Sequence, residues 1–144
     1  MSAFTSAPTS ASTMLAEMER TTRQRAAIRA VIAAAGRPLL AQEVLELAQR
    51  QVPGLAIATV YRNLKWMADE AELRPVLLPG ENPRYELSGE SWHPHFRCRQ
   101  CRRVFDLPAA LYEFSRSLPA GFTVEDHELT LYGSCPECRP SNQG

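Results

Sequence analysis

All four cysteines of the chain fall in its last third, as Cys98-Arg-Gln-Cys101 and Cys135-Pro-Glu-Cys138, with 33 residues between Cys101 and Cys135. A Cys-x-x-Cys turn aims two thiolates at one metal ion, and two such turns complete the tetrahedral shell that Zn²⁺ prefers. A closed four-thiolate site leaves no position for water, so Cys98, Cys101, Cys135 and Cys138 are expected to hold structural zinc and to fold the region around it. Four thiolates around Zn²⁺ carry a formal excess of negative charge, which Arg97, Arg99, Arg102 and Arg103 are placed to offset. A redox dithiol would call for a thioredoxin-like βαβ context that the flanking sequence lacks.

The three histidines are His93, His95 and His127. In an extended segment the i, i+2 pair His93 and His95 faces one side, so both imidazoles can share one ion with nearby carboxylates. Candidate carboxylates are Glu86, Asp106 and Glu113, with Glu90 also near in sequence. A mixed nitrogen and oxygen site suits Zn²⁺, Fe²⁺ or Mn²⁺ without choosing sharply among them.

Catalysis is not expected. The zinc deaminase signature is missing, because Glu128 follows His127 directly and Ser134 precedes Cys135, and no nucleophile elbow, phosphate loop or HExxH is present.

These residues need elements to position them. With 144 residues, 44% hydrophobic and 22% charged, the chain suits one compact unit or two very small ones. Residues 1–13 are Ser, Thr, Ala and Pro almost throughout and are expected to form a disordered tail. A short helical segment at 14–20 is followed, after Thr21-Thr22, by a helix over 23–35 that Gly36 and Pro38 end. Further helices are expected over 41–50 and 58–71, the latter with Val60, Leu64, Met67 and Ala71 inward and Thr59 capping its start. Apolar runs at 75–78 and 84–87, joined by a Pro-Gly-Glu-Asn-Pro turn, read as a hairpin. Three helices and a hairpin outline a winged helix-turn-helix over 14–88, with a hinge at 89–91. Residues 92–140 read as a small α/β dimerisation and metal-binding domain: strands at 96–98, 104–107, 122–124 and 128–132, a helix at 109–118, then a tail at 141–144. The fold class expected is therefore α+β.

The formal charge is zero, from sixteen basic and sixteen acidic side chains, but it is unevenly spread. Residues 20–65 balance at +6, residues 66–144 at −4 and the first nineteen at −2. The positive segment is the one that reads as helix-turn-helix, and phosphate neutralisation is what such a module requires. On the expected reading helix, Thr59, Tyr61, Arg62 and Lys65 point away from the inward stripe. Arg62 can fork onto guanine, Tyr61 can lie against a thymine methyl, and Thr59 and Lys65 can hold phosphates. Arg20, Arg23 and Arg25 add positive charge upstream. No apolar run approaches the roughly 18–20 residues that span a bilayer, and no leader pattern is visible, so a cytoplasmic protein is expected, with no membrane partner.

Taken together, the chain resembles the ferric uptake regulator superfamily of metal-dependent bacterial repressors. The resemblance runs from about Thr22 to Cys138. It rests on Thr22-Arg23-Gln24-Arg25, Ala58-Thr-Val-Tyr-Arg62, Arg84-Tyr-Glu-Leu87, His93-x-His95-x-x-Cys98-x-x-Cys101, His127 and Leu131-Tyr-Gly-x-Cys135-x-x-Cys138. It implies a homodimer that places a winged helix on palindromic double-stranded DNA, with Tyr61 and Arg62 reading bases and Arg20 reaching a minor groove. It also implies a regulatory metal at the hinge that closes the dimer into its DNA-binding shape.

By the same resemblance the hinge site maps onto Glu86, His93, His95 and Asp106, plus a histidine from the DNA-binding half. That last position falls at Arg37 or Pro38, so the cross-domain ligand is missing. A second family site would use Trp92, Pro94, Glu113 and His127, and its first two ligands are lost. Zinc sensors often add a cysteine before the histidine cluster, where this chain has Ser88. Peroxide sensing through histidine oxidation is disfavoured. A zinc-uptake-regulator-like repressor of metal-homeostasis genes is the favoured expectation, with iron and manganese behind zinc. Iron-, manganese- or peroxide-responsive members, a zinc-stabilised protein-interaction module and a thiol redox switch remain the alternatives.

Overall fold

The computed structural model describes residues 10–89, 93–108 and 117–139. In chain order the elements are α1 (Ser10–Ala35), β1 (Leu39–Leu40), α2 (Ala41–Ala48), α3 (Ile57–Asp69), β2 (Leu73–Val76), β3 (Arg84–Leu87), β4 (His95–Cys98), β5 (Val104–Asp106) and β6 (Thr130–Gly133). The architecture is α+β, a winged helix-turn-helix followed by a small sheet at whose end the four cysteines converge.

Helix α1 differs from the sequence expectation, because one uninterrupted helix replaces a tail and two helical segments. Thr21 and Thr22 do not break it, since Thr22 Oγ1 donates to the carbonyl of Met18 at 2.8 Å and thereby stays inside the helical hydrogen-bond scheme. Of the expected tail, residues 10–13 are helical and residues 1–9 lie outside the described residues. Too little core is available to fold such a segment alone, but extending an existing helix avoids the nucleation cost. Only its C-terminal part is anchored, through buried Ala27, Ile28, Val31 and Ile32. Gly36, at φ 62, takes the left-handed position that ends the helix.

Helix α2 (Ala41–Ala48) ends two residues before its expected end, and α3 (Ile57–Asp69) starts one residue earlier and ends two earlier than expected. The Glu43 carboxylate accepts the Leu40 amide at 2.9 Å at the start of α2, half of a capping box. Helix α3 begins at Ile57 after an uncapped Ala56, so Thr59 is not the cap. It sits one turn inside, where its hydroxyl accepts from Arg62 Nη2 at 3.1 Å. The apolar faces of the three helices meet in one core of Ile28, Ile32, Leu39, Val44, Ala48, Val60, Leu64 and Met67.

The wing is an antiparallel sheet of order β1-β3-β2. Its first long strand lies two residues earlier than the apolar run suggested, at Leu73–Val76, and the short β1 had no sequence signal of its own. Strand β3 divides its side chains between two layers, as its period of two dictates. Tyr85 and Leu87 pack against the helical core. Arg84 and Glu86, both buried, point the other way toward the second sheet.

That second sheet has the order β5-β4-β6, with β4 antiparallel to β5 and parallel to β6. Gly133 faces the ring of Phe96, where a Cβ would come within 3.1 Å and the ring would have to give way slightly. Residues 122–124, expected as a strand, are irregular and exposed. Of the expected helix at 109–118, residues 109–116 lie outside the described residues, and 117 and 118 are not α-helical.

Helix α3 ends in a Schellman arrangement: Glu72 N–H donates to Met67 at 2.8 Å and Ala71 N–H to Ala68 at 3.0 Å. The residue at the left-handed position is an exposed alanine, Ala71, at φ 59. A β-carbon there costs about 1 kcal/mol or more. Ala71→Gly is therefore expected to raise stability by about 1 kcal/mol in urea denaturation, and a loss of stability would contradict the assignment.

Candidate metal centres and nucleic-acid face

The four cysteines are brought together by the β4/β6 pairing. Cys98 ends β4 opposite Gly133, so the turn after β6 delivers Cys135 and Cys138 to the turn that holds Cys98 and Cys101. All four are free, and their sulfur atoms lie within 4.8 Å of one another. Cys101 Sγ is 3.8 Å from Cys135 Sγ, and the Cys135 amide points at Cys98 Sγ from 3.4 Å. Backbone amides, from Cys101 first and then Cys135, pull the Cys98 thiol down to about 6. The neighbouring sulfurs, Cys135 foremost, together with burial push Cys138 up to about 12. The Cys98 thiolate therefore forms readily, and it opposes ionisation of Cys101 and Cys138. A dication removes that opposition, which is the chemistry of a four-thiolate zinc site.

The flanking arginines do not compensate that charge as directly as their spacing suggested. Arg97 Nη2 and Nε bind Glu81 at 2.9 and 3.2 Å, and its Nη1 donates to the Cys98 carbonyl at 3.0 Å. Arg103 pairs with Glu137 at 3.3 Å, and Arg99 lies 5.6 Å from the Tyr132 ring centroid. Arg102 has φ 64, and its carbonyl accepts from buried Arg84 Nη2 at 2.8 Å.

Glu86, His93, His95 and Asp106 form a second convergent group, again with ligand atoms within 4.8 Å of one another. Glu86 comes from β3, His95 from β4 and Asp106 from β5, directly across from His95 in the ladder. His93 Nε2 lies 2.9 Å from Asp106 Oδ1 and 3.4 Å from Glu86 Oε1. His95 Nε2 lies 3.3 Å from Asp106 Oδ1 and 3.4 Å from Glu86 Oε1. The imidazole planes meet at 62° with centroids 4.9 Å apart. Glu86 and His93 are buried, and the Asp106 side chain is 30% exposed.

Burial pushes the Glu86 carboxyl up, but its hydrogen bonds with His95, Asp106 and Arg74 outweigh burial and hold it at about 2. For His95 burial works downward, and the Asp106 and Glu86 carboxylates overcome it and raise the group to about 9. His95 Nε2 is nevertheless buried without a well-directed hydrogen bond among the described residues. The spacing suits an ion as well as a hydrogen-bond network. Tetrahedral bonds of about 2.0–2.1 Å place ligand atoms about 3.3–3.4 Å apart, the separation of three of these four contacts.

The other expected ligands are placed elsewhere. His127 is outside this group but lines a cleft that His93 and His95 also border, with Arg74, Asp126 and Glu128, and its amide donates to Asp126 Oδ1 at 2.8 Å. Glu113, Glu90 and Trp92 lie outside the described residues. Arg37, where the resemblance wanted a histidine, borders the cleft of Glu86, His93 and Asp106 but pairs with Glu43 at 3.0 Å. Sequence reasoning missed Arg74, which binds Glu86 from the adjacent strand; the only signal was its cross-strand register.

On the basic half, α3 exposes Tyr61 (50%), Arg62 and Lys65, while Thr59 is half-buried. Lys65 reaches Asp69 at 2.9 Å, an exposed i, i+4 pair that a phosphate can replace at little cost. Arg20 and Arg23 are exposed on α1. Arg25 is engaged within the fold: Nε donates to Asn63 Oδ1 at 3.0 Å and the guanidinium lies 3.5 Å from the Trp66 ring centroid, tying α1 to α3.

Comparison with known proteins agrees with this arrangement. A family model described as the ferric uptake regulator family matches residues 17–132. The ferric uptake regulation protein of Campylobacter upsaliensis is 31% identical over 87 residues, 58% of this chain and 56% of that protein. The match thus spans little more than half of that relative. The peroxide-responsive repressor PerR of Staphylococcus aureus is 27% identical over 123 residues, 83% of this chain and 82% of that protein. Among solved structures, the Helicobacter pylori ferric uptake regulator is similar with a TM-score of 0.65 at 18% identity, covering 91% of this chain and 92% of that one. A Campylobacter jejuni peroxide stress regulator aligns with a TM-score of 0.64 at 25% identity, covering 88% and 97%. With most of its length matched by the family model and both cysteine turns converged behind a winged helix, the chain belongs to the ferric uptake regulator family.

Proposed function

We propose that the chain is a metal-responsive, DNA-binding transcriptional repressor that acts as a homodimer on a palindromic operator and controls metal-homeostasis genes. Zinc is favoured as the sensed metal over iron(II) or manganese(II). The observation that carries this reading is the convergence of Glu86, from the wing sheet, with His93, His95 and Asp106, from the cysteine-bearing sheet. A divalent ion held by all four supplies positive charge at the junction of the two sheets.

The chain's own residues do the rest. Glu86 is on the strand whose other face packs on the helical core, so fixing its carboxylate against His93 and His95 fixes the wing and α3 relative to the second sheet. An ion that prefers this arrangement tenfold shifts its population by about 1.4 kcal/mol per site. Zinc is supported by a set of four ligands in which three contacts have tetrahedral spacing, whereas manganese and iron favour more ligands. Phe122, Val124, Leu131 and Tyr132 leave apolar surface exposed on the second half, which supports pairing of two chains there. Two copies of α3 then meet two half-sites, with Arg62 and Tyr61 toward base edges, Arg20 toward a minor groove, and Arg23, Thr59 and Lys65 toward phosphates. Arg25 contributes by holding α1 against α3.

Three outcomes are expected. In quantitative gel shifts Arg62→Ala costs about 1–3 kcal/mol of operator affinity, with a steep salt dependence in the parent; a shallow slope without sequence preference would point to a protein-interaction module instead. The His93→Ala, His95→Ala double variant loses metal-dependent DNA binding, and unchanged metal dependence would remove the regulatory assignment. Strong chelation, or Cys135→Ser, releases one zinc per protomer and collapses amide protection in β4, β5 and β6 while α2 and α3 keep theirs; equal loss in both regions would contradict a local folding role for the four cysteines.

A further inference from the structure

Arg74 stands directly opposite Glu86 in the β2/β3 ladder. Its Nε and Nη2 donate to the same atom, Glu86 Oε1, at 3.0 and 2.8 Å. That oxygen is also the one 3.4 Å from Nε2 of His93 and 3.4 Å from Nε2 of His95. Arg74 Nη2 comes within 3.5 Å of His93 Nδ1. Both donors belong to one group whose charge is permanent. The guanidinium therefore occupies the oxygen that faces the two imidazoles.

We propose that Arg74 is a resident competitor for the regulatory metal, one that must leave Glu86 Oε1 before an ion can take its full ligand set, so that it sets the metal concentration at which the chain responds. This rests on the reading of Glu86, His93, His95 and Asp106 as a metal site. Two features make displacement feasible. The Arg74 side chain is 35% exposed, and it borders a cleft lined by Asp126 and Glu128, whose carboxylates can receive a guanidinium displaced from Glu86. Arg74 then alternates between two acidic partners, and Glu86 between two cations. A guanidinium and a dication on the same carboxylate oxygen repel each other, so each weakens the other's hold on Oε1.

The test uses the full-length chain with its four-cysteine zinc retained at one per protomer. The second metal equivalent is followed by Co²⁺ visible absorption and by Zn²⁺ competition against a chromogenic chelator. Arg74→Met and Arg74→Gln are expected to bind the second equivalent at least tenfold more tightly than the parent, about 1.4 kcal/mol. Arg74→Lys, which keeps the charge, is expected to stay close to the parent. Arg74→Gln retains a donor for Glu86 and carries the comparison if the apolar variant loses cooperative unfolding. Unchanged or weaker affinity in the neutral variants, with the second equivalent still lost in the His93→Ala, His95→Ala control, overturns the competitor role alone. Retention of the second equivalent in that control overturns the site itself.

Discussion

A carboxylate buried between two sheets must be answered by positive charge, and the organisation of this chain follows from how Glu86 is answered. Its own strand turns apolar side chains toward the helices, so the carboxylate has no choice but the opposite face. There it meets Arg74 from the neighbouring strand and the imidazoles of His93 and His95 from the second sheet. An uncompensated charge at that depth would be far more costly than any single contact nearby. The pairing is therefore both a structural requirement and the place where cations can be exchanged.

The two halves of the chain are held together by different physics. The helical half has a continuous apolar core from Ala27 to Leu73. The second sheet, among the described residues, buries little beyond Pro94, Cys98, Val104 and Cys135. Three strands of three or four residues cannot offset their ordering entropy with that area. Four cysteine sulfurs gathered within 4.8 Å of one another at the end of the same sheet point to a metal as a further cohesive element. Where a metal supplies the cohesion of so small a half, binding it and being folded are nearly one event.

Much of this was legible in the sequence because it is local. Cys-x-x-Cys turns and an i, i+2 histidine pair carry their geometry in their spacing, and the apolar stripe of α3 carries its inward face. What was not legible depends on context. Thr21 and Thr22 read as an interruption because their competing hydroxyl bonds are weighed without the helix that absorbs them. Residues 122–124 have strand-like composition, yet they are irregular and unpaired among the described residues. Thr59 reads as a cap, but the helix starts at Ile57, where no polar side chain signals it. Arg74 was invisible because its role lies in a pairing register, twelve residues from its partner, and a register is set by the whole hairpin. Arg25 looked like free positive charge because nothing local announces Asn63 and Trp66 as its partners.

Strand β3 grips the second sheet at two points. Arg84 holds the Arg102 carbonyl and Glu86 holds the histidine pair, and the two residues sit on one face about 7 Å apart along the strand. Two points alone would leave one rotation, about the line that joins them along β3. Further grips come from outside that strand: Glu81, in the turn before β3, is held by Arg97 of β4, and Arg74 on β2 comes within 3.5 Å of His93. The wing is thus keyed into the second sheet rather than hinged on it, and α3, on the other side of β3, turns relative to that sheet only when one of these grips lets go.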